Sequence, residues 1–352
     1  MKYCVLVSLI IFIAATGCSL TDANVTDKTS LKSDSTQIYN ISKDEHDATL
    51  DLLSNWNGAA MREVWADGHY AYLAGYGSYI YIVDVKHGDN PELASSLYLG
   101  TYGDPIDIIT QGHYAYVATR NGVCIVDITD KSNPYFVSYT STPGTARRME
   151  IQGEQLFLAD GYNGIIIFDV TDKSSPSVIA TSQAPIEARK VFYRDGFVYV
   201  ADVDYGLRIF SFNGNELTLV SSLATDGGPD DVYVHDNYAY LADRYNGVLM
   251  IDIRDKANPS IQAHLVTGGM TGRLFVRGSR LYCVDRDGVY IMNILKKQDL
   301  EIVSSMKTPD QSIGIHLQAN RLFVAGDIDG LFIYRIDESG NHDGKPELNS
   351  GA

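Results

Sequence analysis

The sequence predicts an all-β protein built from seven copies of one unit, and three observations support this. Related segments recur along the chain: ATRNGVCIVDITDKSNP from Ala118, ADGYNGIIIFDVTDKSSP from Ala159 and ADRYNGVLMIDIRDKANP from Ala242. Weaker copies begin at Leu73, Val200, Cys283 and Val324, and the turn before each copy falls at Gly68, Gly112, Gly153, Asp195, Asp236, Gly278 and Ala319, in steps of 41 to 44 residues. Inside a unit, short apolar runs alternate with Gly, Asp and Asn turn signals, and no long stretch carries helical periodicity.

The third unit shows why each element is a strand. Arg147 to Gln152 is a first run ending at the Gly153 turn. A second, Leu156 to Asp160, meets Asn163-Gly164, a strong hairpin signal because both central residues tolerate positive φ. The third, Ile165 to Val170, is nearly all apolar, as expected of a strand covered on both faces. Thr171 to Pro176 then turns the chain, and the proline opens an outer strand where a missing N–H does no harm. Four antiparallel strands per unit, repeated seven times, predict a seven-bladed β-propeller of four-stranded antiparallel blades. The seventh unit ends at Ile336 with no apolar run after it, whereas Ala48 to Trp56 (ATLDLLSNW) precedes the first innermost strand. That N-terminal segment is therefore expected to close the ring as the outermost strand of the last blade, giving a propeller over 48–337 and a polar tail over 338–352.

Residues 1–17 read as a leader: Lys2, an apolar core from Val5 to Ala15, then Ala15-Thr16-Gly17 before Cys18. The core is too short to span a bilayer. Small residues before a cysteine resemble the lipobox of bacterial lipoproteins, with Ala15 where leucine is usual. The resemblance implies a lipid on Cys18, an exported protein anchored to the cell envelope and, with Ser19 following, the outer membrane or cell surface. Residues 18–47 are polar and read as a disordered tether. Cys124 and Cys283 lie in apolar strand patterns and read as buried thiols.

The stretch GVCIVDITDKSNP from Gly122, with its copies, resembles the LVIVD repeat family of bacterial and archaeal surface proteins. The resemblance runs from about Gly68 to Ile336. It implies a propeller and a surface location and carries no defined chemistry. Units four, six and seven depart at the motif aspartate, with Ser211, Asn293 and Arg335, so that aspartate reads as a turn stabiliser.

The formal charge is −16, with 44 acidic against 28 basic residues, which argues against nucleic acid as a partner. Metal-ligand spacings, nucleophile elbows and phosphate loops are absent from the sequence, so no metal and no cofactor is expected. Asp160, Asp202, Asp243 and Asp285 form one column, read as hairpin caps. Tyr76, Tyr162, Tyr205 and Tyr245 fall in the second hairpins and suit an interface.

The innermost strands are expected to begin at Arg62-Glu63, Ile106-Asp107, Arg147-Arg148, Arg189-Lys190, Asp230-Asp231, Gly272-Arg273 and Ile313-Gly314, beside the central channel. Arg147, Arg148, Arg189, Lys190 and Arg273, oriented by Glu63, Asp107 and Asp231, are the candidate ligand-binding set for an anionic group. The alternative is a ring of ion pairs between blades. Below this mouth the apolar column of Val64, Ile108, Met149, Val191, Val232, Leu274 and Ile315 is expected to give plain packing. These readings make the protein a monomeric, membrane-tethered binding module for a protein, glycan or small ligand. The alternative function is a hydrolase or lactonase with its site at the channel mouth.

Overall fold

The computed structural model describes residues 48–182, 187–296, 299–309 and 311–337, and the backbone of 38–39, of the 352. The leader, Cys18, nearly all of the tether and the tail lie outside the described residues.

Seven antiparallel sheets form around the ring, six built on a meander of four consecutive strands and the last on three plus one from the N-terminal side. Blade 1 holds Met61–Asp67, Tyr70–Gly75, Tyr79–Asp84 and Glu92–Tyr98. The innermost strands of blades 2 to 7 are Pro105–Gln111, Met149–Gln152, Ala188–Arg194, Asp231–His235, Thr271–Arg277 and Ser312–Gln318. Each touches the innermost strand of the next blade, and Ser312–Gln318 touches Met61–Asp67, so the ring is closed.

The last blade takes its fourth strand from the N-terminal segment, as expected. Thr49–Trp56 pairs antiparallel with Gly330–Asp337, from Thr49 opposite Asp337 to Trp56 opposite Leu331. This strand even reproduces the repeat's irregularity: its pairing shifts between Leu52 and Ser54, as the outermost pairing shifts in the other six blades. Such bulges increase local twist, which lets each sheet splay outward from the axis. Inside the segment read as a tether, Ile38–Tyr39 pairs with Met306 and Ser305, adding a fifth strand to blade 6.

The core is divided into seven clusters, one between each pair of neighbouring blades. In the middle of every second strand stands a fully buried aromatic: Tyr72, Tyr116, Phe157, Tyr199, Tyr240, Tyr282 and Phe323. At about 1.5–3 kcal/mol for each large apolar side chain buried, these shared interfaces are the main favourable term, and no blade retains them alone.

Candidate functional site

Side chains alternate along each innermost strand, so residues two apart face the axis together. The first such layer holds Glu63, Asp107, Arg148, Lys190, Asp231 and Arg273, with Gly314 completing it. Two residues further in come Trp65, Ile109, Glu150, Phe192, Tyr233, Phe275 and His316. Both layers line an axial cavity of about 240 Å³.

The charged layer is largely a set of bonds between blades. Asp107 Oδ2 accepts from the Met149 amide of the next blade at 2.7 Å, and Asp231 Oδ2 from the Leu274 amide at 2.9 Å. Lys190 Nζ donates back to the Met149 carbonyl at 2.7 Å and lies 3.7 Å from Glu150 Oε2. Arg148 Nη1 donates to the Asp230 carbonyl two blades away. Arg273 Nε donates to Glu63 Oε2 at 2.6 Å, also two blades away. Gly314 makes that last pair possible, because a Cβ there would lie 2.5 Å from Glu63 Oε1 and 2.9 Å from Glu63 Cα. Innermost strands of adjacent blades are not paired to one another, and these groups supply the missing inter-blade bonds.

Burial raises the carboxyl pKa of Glu63, and Asp107 nearby raises it further. Burial likewise raises Asp107, Glu150 and Asp231, each opposed by Lys190 or Arg148. His316 is pushed down to about 3 by burial, and its Nδ1 accepts from the Ala66 amide at 3.1 Å. It is therefore a neutral ring within an aromatic arc. Trp65 and His316 lie 4.3 Å apart between centroids, His316 and Phe275 5.4 Å, Phe275 and Tyr233 5.5 Å, and Tyr233 and Phe192 4.9 Å.

The structure thus brings Glu63, Asp107, Arg148, Lys190, Asp231 and Arg273 together and leaves Arg147 and Arg189 outside the cavity lining. It corrects the expectation of plain packing below the mouth. The column from Val64 to Ile315 is divided among the seven inter-blade cores. The channel itself carries the aromatic arc and Glu150. Sequence reasoning missed these residues although a period of two from the charged layer leads straight to them.

Arg147 and Arg189 stand above the cavity on the face of the second hairpins. Arg189 pairs with Glu187 at 2.8 Å and approaches Asp230 at 3.9 Å, where Arg244 also binds at 3.1 Å. The Arg147 side chain has no hydrogen bond or ion pair among the described residues, and its Nε, like those of Arg148 and Arg189, is sealed from solvent without a hydrogen-bond partner there. Burial lowers the Arg147 pKa, as do Arg189, Arg148 and Arg120, while Glu187 opposes them. On the same face Tyr162 is 76% and Tyr245 70% exposed, while Tyr76 and Tyr205 are less so.

The repeated aspartates are structural. Asp160 accepts from Thr142 Oγ1 and the Gly144 amide, and Asp243 from Thr225 Oγ1 and the Gly227 amide, which ties each incoming loop to its hairpin. Asp202 and Asp285 accept from the amides of Asp204 and Asp287. The motif aspartates Asp127, Asp169 and Asp252 accept from the amide two residues on, as turn stabilisers. The motif lysines fasten blades at the opposite end. Lys173 Nζ donates to the Val170 carbonyl and lies 5.6 Å from the Tyr114 ring, while its own carbonyl accepts from Ser138 Oγ at 2.6 Å. Lys131 and Lys256 repeat this arrangement.

Known structures and sequences bear on the fold. The computationally designed Ika8 protein is 8% identical, with a TM-score of 0.61 over 81% of this chain and 98% of its own. The β-propeller domain of Myceliophteria thermophila Cps50 (Swd1) is 12% identical, with a TM-score of 0.65 over 81% and 99%. The N-terminal domain of Nup159 is 12% identical, with a TM-score of 0.60 over 84% and 97%. These likenesses show the fold alone. No curated protein sequence matches the chain. The LVIVD repeat model matches 57–97, 102–142, 143–182, 187–210 and 226–267, more than half of the sequence, and the chain belongs to the LVIVD repeat family.

Proposed function

We propose that this protein is an envelope-tethered interaction module that engages an anionic group of a protein or glycan on the hairpin face of blades 3 to 5. The observation that carries this reading is the Arg147 guanidinium, without a hydrogen bond or ion pair among the described residues and crowded by Arg189, Arg148 and Arg120 on an otherwise acidic molecule. Clustered like charges repel one another; Glu187 and Asp230 offset part of that repulsion, and an anionic ligand at Arg147 offsets more of it. Exposed Tyr162 and Tyr245 flank the cluster with flat apolar area and a polar tip, as interface cores require. The ion-pair alternative holds for Arg273 and Lys190, whose donors are taken up between blades. Lipid attachment at Cys18 rests on the leader and the small residues before it. Stable anchoring takes more than one acyl chain, which bacterial lipoproteins carry.

The test is surface plasmon resonance of the purified protein against fractionated envelope proteins and polysaccharides. A salt-sensitive binder lost in Arg147→Ala/Arg189→Ala, at unchanged melting temperature, supports the reading. A binder indifferent to both arginines refutes it. For the tether, Cys18→Ser should move the protein from the membrane to the soluble fraction.

A further inference from the structure

We infer that the axial cavity is a binding site for a small organic ammonium ion. The argument is independent of any partner at the hairpin face, since Arg147 and Arg189 do not line the cavity.

Charge gives the sign of the ligand. Four carboxylates line the cavity, Glu63, Asp107, Glu150 and Asp231, against the three cations Arg148, Lys190 and Arg273. Every one of the cations already donates to protein: Arg273 to Glu63, Lys190 to the Met149 carbonyl, Arg148 to the Asp230 carbonyl. His316, in the same lining, is neutral because of its burial. With the four carboxyls ionised the lining carries one negative charge in excess, which a single positive ligand balances in place of a proton on one of these raised carboxyls. Glu150 is the group that faces such a ligand. Its side chain lines the cavity and keeps 28% exposure, with the Lys190 ammonium 3.7 Å away.

The aromatic arc gives the ligand its organic character. Trp65, Phe192, Tyr233 and Phe275 remain partly exposed inside the ring of blades. Ring faces attract cations through their quadrupole, more strongly when the cation is desolvated, and they pack against methyl and methylene groups. A cavity of about 240 Å³ has room for a methylated or short-chain amine. An anion would meet Glu150 and the ring faces at once, both repulsive to it.

The experiment is calorimetric titration of the folded protein with methylammonium, tetramethylammonium and choline, and with neohexyl alcohol, the uncharged isostere of choline. At least one cation should bind with a Kd of about 1 mM or tighter, and neohexyl alcohol at least about tenfold more weakly than choline. Glu150→Gln and Phe275→Leu should each weaken the cation about tenfold with melting temperatures within about 2 °C of wild type. No heat from any cation up to about 10 mM overturns the inference, as does equal binding of choline and its isostere, or full affinity in both Glu150→Gln and Phe275→Leu.

Discussion

Arg273 of blade 6 and Glu63 of blade 1 form a 2.6 Å ion pair that passes over blade 7, and Gly314 on the intervening strand is the reason they can meet. Both side chains are nearly buried, at 11% and 7% exposure. The pair spans blade 7, the one blade whose four-stranded meander is not consecutive in the chain, since its outermost strand is Thr49–Trp56.

Gly314→Ala places a methyl group against the Glu63 backbone and carboxylate, so strand or side chain must move. Breaking a buried pair by separating its partners costs about 3 kcal/mol. Urea denaturation should show a loss of that order for Gly314→Ala. The same substitution should cost markedly less in a Glu63→Gln/Arg273→Met background. An equal cost in both backgrounds would mean that the glycine serves the backbone and not the pair.

Stability should depend on pH through His316. Its folded pKa is about 3, against about 6.5 when exposed, so the unfolded chain takes up a proton over that interval and the folded protein does not. Stability from this group is full above about pH 6.5 and falls with pH below it, by about 2 kcal/mol at pH 5. The raised carboxyls of Glu63, Asp107, Glu150 and Asp231 act the other way, since the folded state holds their protons longer as pH rises. Comparing wild type with His316→Phe isolates the histidine. The gap between their unfolding free energies should change by about 2 kcal/mol between pH 7 and pH 5, and parallel curves would refute the assignment.

Much of this molecule is legible in its sequence because the propeller repeats its punctuation. Gly68 and its six equivalents, the apolar third strands and the proline-led outer strands recur at one spacing, and Leu50, Leu52 and Leu53 mark Thr49–Trp56 as a strand. Asp202 and Asp285 are legible as caps because their bonds are local, whereas Asp160 and Asp243 reach residues 16 to 18 positions back in the chain. The channel was misjudged for a geometric reason: Val64 and Trp65 are neighbours in sequence, but one enters an inter-blade core and the other the axis. The reach of Glu63 to Arg273 depends on a missing Cβ on a third strand, which no local pattern encodes. The strand at Ile38–Tyr39 likewise depends on an edge that only the folded blade 6 presents.

Ring closure can be tested by truncation. Removing 19–46 takes away a two-residue pairing on blade 6 and should leave the melting temperature nearly unchanged. Removing residues through Trp56 uncovers Leu331 and Ile333 and opens an edge, and should lower it by roughly 10 °C or more. Similar melting temperatures for the two truncations would contradict the closing role of Thr49–Trp56.

The claim that function sits on the hairpin face is tested most directly by site-specific photo-crosslinking in the native host. A photoreactive residue at Tyr162, 76% exposed on that face, is compared with one at Tyr135, 58% exposed at the far end of blade 2. The account predicts a discrete adduct from position 162, lost when Arg147 and Arg189 are both changed to alanine, and none from position 135. An adduct from position 135 alone, or one at position 162 that survives loss of both arginines, would contradict it.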